Sequence, residues 1–240
     1  AGFMADIGGI ITEEDLLKYE PQEREPIRGT YRGYDIVSMP PPSSGGVILV
    51  EMLNILEGFD LADMGHNSAD YLHVLTETMR RAYADRAEHL GDPDFNESMP
   101  LQRLMDKDYA ETLRASIDMD SASESSPADF AQIYESEETT HFSIVDKEGN
   151  MVSMTYTLEF GYGSGIVVEG GGYLLNNEMG DFNAVPGVTT TRGLIGTAPN
   201  LIEPEKRPLS SMTPTIVAKD GKPVFTAGSP GGKTIINTTM

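Results

Sequence analysis

The stretch that decides the fold is Glu138-Thr139-Thr140-His141-Phe142-Ser143-Ile144-Val145-Asp146, followed by Lys147-Glu148-Gly149-Asn150 and then by a second alternating run from Met151 to Leu158. Two alternating, β-branched segments around a short polar turn with a glycine predict an antiparallel β-hairpin. Upstream, residues 118–138 hold seven carboxylates and not one Lys or Arg, the composition of an unstructured linker. An acidic linker feeding straight into a strand that begins with threonines suits a chain cut at the junction. The new terminal residue would then be a hydroxyl nucleophile with its own amine as base. A plain loop entering a plain hairpin has the same composition, so these residues alone leave both readings open.

The hairpin arithmetic adds a second clue. With residues 147–150 as the loop, Asp146 pairs with Met151 and Thr139 with Leu158, leaving Thr157 one step away. A one-residue change of loop register puts Thr157 directly opposite Thr139. Directly paired side chains sit about 5 Å apart and diagonal ones about 7–8 Å apart, so the Thr157 hydroxyl is a candidate orienter of Thr139. A one-residue slip also flips the faces of one strand.

Composition bounds the rest. A chain of 240 residues with 39% apolar and 8% aromatic residues has the make-up of a globular protein able to bury a sizeable core. No apolar run approaches the eighteen or so residues of a transmembrane helix. The start, Ala1-Gly2-Phe3-Met4, lacks the basic and apolar regions of a signal peptide. Both ends read as cuts from a longer chain. A net charge of −21 argues against nucleic acid and anionic membrane as partners. With no cysteine, disulfides and thiolate metal sites are excluded and the redox compartment stays open. His66, His73, His89 and His141 show no ligand spacing, so no metal is expected.

Along the chain, Thr12 and Asp15 resemble a capping box opening a short helix over residues 12–19. Tyr31 to Ser38 alternates like one strand, which Pro40-Pro41-Pro42 cannot continue. Ser43-Ser44-Gly45-Gly46 leads into Val47–Leu56, apolar on nearly every face and therefore a buried helix; a phosphate cradle at this turn is the competing use. Asn67-Ser68 caps a long helix to about Leu90, with Leu72, Leu75, Met79 and Ala82 as its stripe and Gly91 and Pro93 as its stop. Arg80, Arg81, Asp85, Arg86 and Glu88 fall on its polar side, a solvated or interface face with ion pairs. Pro100 opens a further helix carrying Leu101, Leu104, Met105, Leu113 and Ile117. Beyond the hairpin, glycines at 161, 163, 165 and 170–172 break the chain into short pieces. Tyr173–Leu175 reads as a strand, Asn176–Phe182 as a polar loop, residues 186–200 as a long surface loop, and Ile216–Ala218 and Val224–Ala227 as strands around Asp220-Gly221.

The run Ala227-Gly228-Ser229-Pro230-Gly231-Gly232-Lys233-Thr234 satisfies a relaxed P-loop pattern, with Ala in place of the first glycine. Pro230 removes one cradling amide, and no acidic strand for Mg²⁺ is in view. The competing use is an oxyanion hole, with the Gly231 and Gly232 amides facing a developing negative charge. Removing one such donor costs about 2.7–4 kcal/mol of barrier stabilisation.

Six runs together carry a resemblance: Met39–Gly46 (MPPPSSGG), Arg81–Pro93 (RAYADRAEHLGDP), Thr139–Asp146 (TTHFSIVD), Leu175–Phe182 (LNNEMGDF), Pro208–Thr215 (PLSSMTPT) and Gly228–Gly232 (GSPGG). In order and spacing the sequence resembles the gamma-glutamyltranspeptidases of the N-terminal nucleophile hydrolase superfamily, over nearly the whole chain. The resemblance implies an α/β (α+β) fold, a four-layer α/β/β/α sandwich incomplete at both ends. It implies that residues 1–138 are the C-terminal portion of the large-subunit part, that 139–240 begin the small-subunit part, and that the two share one core. Thr139 would be the nucleophile, freed when the precursor cuts itself between Glu138 and Thr139. Its α-amine, with a reference pKa of roughly 7.7–8.0, would be the base. Thr157 would support the hydroxyl, and Gly231 and Gly232 would form the oxyanion hole. Ser210 and Ser211 would bind the donor's α-carboxylate, and Glu178 and Asp181 its α-ammonium. At 4 Å and an effective dielectric near 20, each charge contact is worth on the order of 4 kcal/mol before desolvation.

The family implies glutathione or a related γ-glutamyl compound as donor, water or an amino acid or peptide as acceptor, and no metal or organic cofactor. It also implies a heterodimer of large and small subunits from one precursor, and export to periplasm, cell surface or medium. Glu159 departs from the pattern: the family usually carries Asn there, as a further ligand for the head group. The stretch 186–197 occupies the place of a lid that bears an aromatic gate in some members, and here Arg192 lies near its tip. The carboxylate-binding arginine of the family would lie before Ala1. Three rivals remain: a related self-cleaving cephalosporin or glutaryl acylase, a nucleotide-binding domain built on Gly228–Thr234, and an uncut, inactive member.

Overall fold

The computed structural model describes residues 1–124, 138–183, 185–187 and 196–240. In chain order its elements are α1 (Gly2–Asp6), α2 (Glu13–Lys18), β1 (Ile27–Tyr31), β2 (Tyr34–Ser38), α3 (Gly45–Leu56), α4 (Leu61–Met64), α5 (Ala69–His89), α6 (Leu101–Leu104), α7 (Lys107–Ala115), β3 (Thr139–Val145), β4 (Met151–Thr157), β5 (Thr215–Lys219), β6 (Lys222–Ala227) and α8 (Ile235–Thr239). Short 3₁₀ turns cover Glu178–Asp181, Ala198–Asn200 and Gly232–Thr234.

The core is α3. Every one of its residues is buried, as its all-round apolar sequence predicts. It packs on β1, where a Cβ on Gly29 would come 2.6 Å from Val50 Cγ2, so only glycine allows the approach. Full burial of each large apolar side chain is worth about 1.5–3 kcal/mol, and α3 contributes Val47, Ile48, Leu49, Val50, Met52, Leu53, Ile55 and Leu56.

β1, β2, β5 and β6 form one antiparallel sheet in that order. The paired Ile36 and Val217 belong to the buried cluster around α3. On the other face, Thr226 Oγ1 lies 3.3 Å from Ser143 Oγ of the separate β3–β4 hairpin. Ser153 of β4 donates to the Ala227 carbonyl and accepts from the Thr215 amide, both at 3.1 Å. Helices thus cover one face of the sheet and the hairpin lies against the other, in a mixed α+β fold.

Several expectations are corrected. Tyr31–Ser38 is not one strand but the turn and second arm of a hairpin: Arg32 and Gly33 adopt φ of 50° and 83°, a two-residue turn of the kind that matches strand twist. The helix opened by Pro100 is two helices. Asp106 interrupts it because its carboxylate accepts from the Asp108 and Tyr109 amides at 2.8 and 3.1 Å, capping a new start. On α5, capped by Ser68, the buried residues are Val74, Glu77, Thr78, Ala82, Asp85, Arg86 and Ala87, while Leu72 is 48% exposed. Ala82 and Met79 of the expected stripe do meet the core, but Asp85 and Arg86 are buried beside them through hydrogen bonds to Tyr109, Ser44 and Ser211. Tyr173–Leu175 makes only an isolated bridge, Val167 with Leu174. The capping box at α2 is present, with Thr12 and Asp15 exchanging bonds of 3.2 and 2.7 Å.

The β3–β4 register is the second of the two alternatives: Val145 pairs with Met151 and Thr139 with Thr157. Asp146 is drawn out of the ladder into a five-residue loop, where its carboxylate accepts from the Glu148 and Asn150 amides at 2.9 and 2.8 Å.

Glu51 is wholly buried in α3, and neither carboxyl oxygen has a hydrogen-bond partner among the described residues. Burial, and then the nearby Asp85, push its carboxyl well above the usual range, which favours its neutral form. The folded state binds this proton more tightly than the unfolded chain, and the residue's contribution to stability falls as pH rises above the ordinary carboxylate range. Melting temperature is therefore expected to drop as pH rises above the ordinary carboxylate range, with part of that slope absent in Glu51→Gln. An identical slope in the variant would show Glu51 to be ionised throughout.

Candidate functional site

Thr139 is the first residue of β3 and lies directly across the ladder from Thr157. Both open onto a cleft that also receives Glu159, Glu178, Asp181, Ser210, Ser211 and Gly232, closed by Met212 and Ile235. Of the residues singled out from the sequence, Gly231 adjoins this lining, Glu138 precedes it in the chain, and Arg192 lies outside the described residues. Among the described residues no group of three or more His, Asp or Glu is placed to hold a metal ion.

The Thr157 hydroxyl accepts from the Glu159 amide at 2.8 Å. Its proton remains available to a neighbour across the ladder. Glu159 takes a positive φ of 71°, which turns the chain sharply out of β4, and its carboxylate accepts from Asn177 Nδ2. Asn177 in turn accepts from the Phe160 amide at 3.0 Å and donates its own amide to Leu158 at 3.1 Å. The LNNEMGDF run is thereby stapled to the end of β4, and its 3₁₀ turn sets Glu178 and Asp181 in the cleft. Glu178 Oε1 is buried with no hydrogen-bond partner among the described residues. Burial first, then the Asp181 and Glu159 carboxylates, raise the Glu178 pKa to about 7.

The serine end is built differently. Ser44 sends its amide and its hydroxyl to the Ser210 carbonyl, at 2.8 and 2.7 Å. Ser43 Oγ donates to the Met212 carbonyl at 2.7 Å, and the Ser210 amide donates to Pro42 at 3.0 Å. Ser210 Oγ accepts from the Met212 amide at 3.1 Å. Behind Ser211 stands Arg86 of α5, whose Nη2 and Nε donate to Ser211 Oγ at 2.9 Å and Ser44 Oγ at 2.8 Å. The MPPPSSGG turn is therefore a clamp on the PLSSMTPT segment, not a phosphate cradle.

Gly231 and Gly232 adopt φ of 127° and 55°, conformations that explain glycine at both positions. The Gly231 carbonyl accepts from Thr234 through its amide at 3.1 Å and its hydroxyl at 2.6 Å. His141, two residues beyond Thr139 on the same side of β3, packs its ring on Gly228 and bonds Thr155 Oγ1 at 2.8 Å and Ser143 Oγ at 3.1 Å. Sequence reasoning missed His141, Asn177 and the inward turn of Arg86. Each sits within a motif run, but residue type alone does not say which side it faces.

The gamma-glutamyltranspeptidase family profile matches residues 1–240. The chain belongs to this family. It is 53% identical over 236 residues to a glutathione hydrolase proenzyme of Escherichia coli (strain K12), covering 97% of this chain and 40% of that protein. A glutathione hydrolase proenzyme of Pseudomonas sp. (strain A14) is 50% identical over 236 residues, with the same coverages. A crystal structure of a cephalosporin acylase from Bacillus halodurans superposes with a TM-score of 0.76 at 28% identity, over 98% of this chain and 40% of that one. The chain thus spans about 40% of the length of the relatives it matches.

A carbon-detected NMR titration of the Glu178 side chain is expected to show a midpoint of about 7. Asp181→Asn and Glu159→Gln should each lower that midpoint, because each removes a like charge. A midpoint in the ordinary carboxylate range would mean that the acidic end of this transpeptidase-family cleft is open to water.

Proposed function

We propose that this chain is the junction region of a self-cleaving enzyme that transfers or hydrolyses γ-glutamyl groups of glutathione and related compounds. The observation that carries the reading is the placement of Thr139 opposite Thr157 in a cleft lined by the carboxylates of Glu159, Glu178 and Asp181 and by the paired Ser210 and Ser211. In the first step the Thr139 hydroxyl attacks the carbonyl carbon of Glu138. The peptide C–N bond breaks, the nitrogen becomes the free α-amine of Thr139, and an ester links residue 138 to the Thr139 oxygen. Water hydrolyses that ester. In the catalytic cycle the freed amine takes the hydroxyl proton as Thr139 attacks the γ-carbonyl of the donor. The Gly231 and Gly232 amides receive the oxyanion, the amine leaving group departs with a proton, and water or an acceptor amine then takes the acyl group. Ser210 and Ser211 hold the donor's α-carboxylate, and Glu178, Asp181 and Glu159 its α-ammonium. This chemistry requires no metal or organic cofactor.

Residues 1–138 then belong to the large subunit and 139–240 to the small one, with a shared core supported by the Ser43–Ser44 clamp on Ser210–Met212. A four-layer sandwich is supported by the outer face of the β3–β4 hairpin, where Phe142, Ile144, Val152, Met154 and Tyr156 are 37–54% exposed and suited to a second helical layer.

The acylase alternative has its support in the likeness to the cephalosporin acylase. An ammonium beside Glu178 would offset the like charges of Asp181 and Glu159 that raise its pKa, which favours the γ-glutamyl reading. The mature small subunit should begin at Thr139, and Thr139→Ala should stay whole on a denaturing gel and be inactive. Thr157→Ala should cut slowly and lose roughly tenfold in kcat, the loss of one hydrogen bond of about 0.5–1.5 kcal/mol. A γ-glutamyl anilide should be hydrolysed far faster than a glutaryl anilide; equal rates would remove the ammonium site.

A further inference from the structure

Arg86 lies on the side of α5 that the sequence marks as polar and exposed, yet it is only 4% exposed. Its hydrogen-bond partners are two serine hydroxyls, Ser44 Oγ and Ser211 Oγ. Among the described residues no carboxylate lies within ion-pair distance of it. A guanidinium is always charged, donates only, and cannot accept. Each serine oxygen must therefore accept from it, which fixes where the hydroxyl proton goes. Ser44 sends its proton to the Ser210 carbonyl at 2.7 Å. Ser211 receives the same kind of bond and lines the cleft, and among the described residues its hydroxyl has no acceptor, which leaves its proton for a ligand there. Asp181 borders the same small cavity as Arg86 without pairing with it directly, and a buried cation held only by neutral hydroxyls is costly, so an anion held by Ser211 would stabilise it further.

We propose that Arg86 is a positioning residue for anion recognition in the cleft: it orients the Ser211 hydroxyl as a donor toward the ligand's α-carboxylate and places a buried positive charge behind it. This rests on the γ-glutamyl reading of the same cleft and deepens it, since it ties carboxylate selectivity to a residue that never touches the donor. Ser44 is the other half of the device, because it holds the guanidinium plane in line with Ser211.

The test compares a γ-glutamyl anilide with a 4-aminobutyryl anilide, which keeps the amine and lacks the α-carboxylate, in the full-length processed enzyme. Arg86→Met should raise KM for the γ-glutamyl donor by about tenfold or more, the scale of a hydrogen bond to a charged group. It should leave both KM and kcat for the 4-aminobutyryl donor within about twofold. Ser211→Ala should give the same selective loss, and the double variant Arg86→Met/Ser211→Ala should be no worse than either alone, as for residues acting through one contact. Equal KM increases for both donors, a fall confined to kcat, or additive losses would overturn the proposal. Should Arg86→Met not fold or process, the wild-type enzyme labelled at arginine decides. The Arg86 side-chain NMR signals should shift on adding L-glutamate and stay in place on adding 4-aminobutyrate, and a shift with both or with neither overturns the role. If wild-type enzyme hydrolyses neither anilide, the γ-glutamyl reading itself fails. If it prefers the γ-glutamyl anilide and the variants keep that preference, only the Arg86 role fails.

Discussion

The structure depends on a buried backbone clasp between two segments more than 160 residues apart. Ser43 and Ser44 are wholly buried at the entry to α3, and between them they hold the carbonyls of Ser210 and Met212, while Ser210 returns a bond to Pro42. Each such bond nets only about 0.5–1.5 kcal/mol, but leaving any of these buried groups unpaired costs about 1–3 kcal/mol. The clasp is therefore set by the penalty for opening it. It fixes Ser210 and Ser211 to the most deeply packed helix of the chain, so the cleft inherits the rigidity of the core. It also joins residues on either side of position 139. In the proposed reading, a cut there leaves the site intact because the contacts that build it do not run through the severed bond.

The same division explains what could be read from the sequence. Elements whose cause is local were legible: α3 from its all-round apolar composition, α2 from Thr12 and Asp15, and the hairpin from its alternation. The β3–β4 register was narrowed to two alternatives and no further. The choice turned on whether Asp146 pairs or caps, and its carboxylate finds more donors in the loop than in the ladder. β1 went unseen because Arg28 and Gly29 dilute its pattern; glycine is there for the contact with Val50, a long-range reason that leaves no local trace. The face of α5 was misjudged for a related reason. Charged residues count as outward-facing in any periodicity argument, yet Asp85 is bonded to Tyr109 at 2.7 Å and Arg86 to two serines, and those partners come from elsewhere in the chain.

The candidate site was legible by a different route. No single residue type or spacing assembles Thr139, Thr157, Glu178, Asp181, Ser210, Ser211 and Gly232, and the motif runs that contain them are scattered over the whole chain. Their order gave the family, and the fold brings them to one cleft. What the runs did not convey is the support beneath them. Asn177 is one letter in LNNEMGDF, but it staples that turn to the end of β4. Residues of this kind hold others in place through backbone groups, which a sequence does not display.

The cleft is electrically lopsided in a way that the net charge of −21 does not foretell. At one end Glu159, Glu178 and Asp181 crowd together until one of them is driven toward neutrality. Beside the serines, the Arg86 guanidinium stands behind Ser211 and, in the proposed role, acts through its hydroxyl. In the proposed reading, a ligand carrying ammonium and carboxylate on one carbon meets both the carboxylates and the serines at once. Such a head group can enter in one sense only. The chain of the donor must then extend along a single direction, and in the proposed reading it is this forced orientation, rather than any unusual reactivity of the threonine itself, that delivers the γ-carbonyl to Thr139.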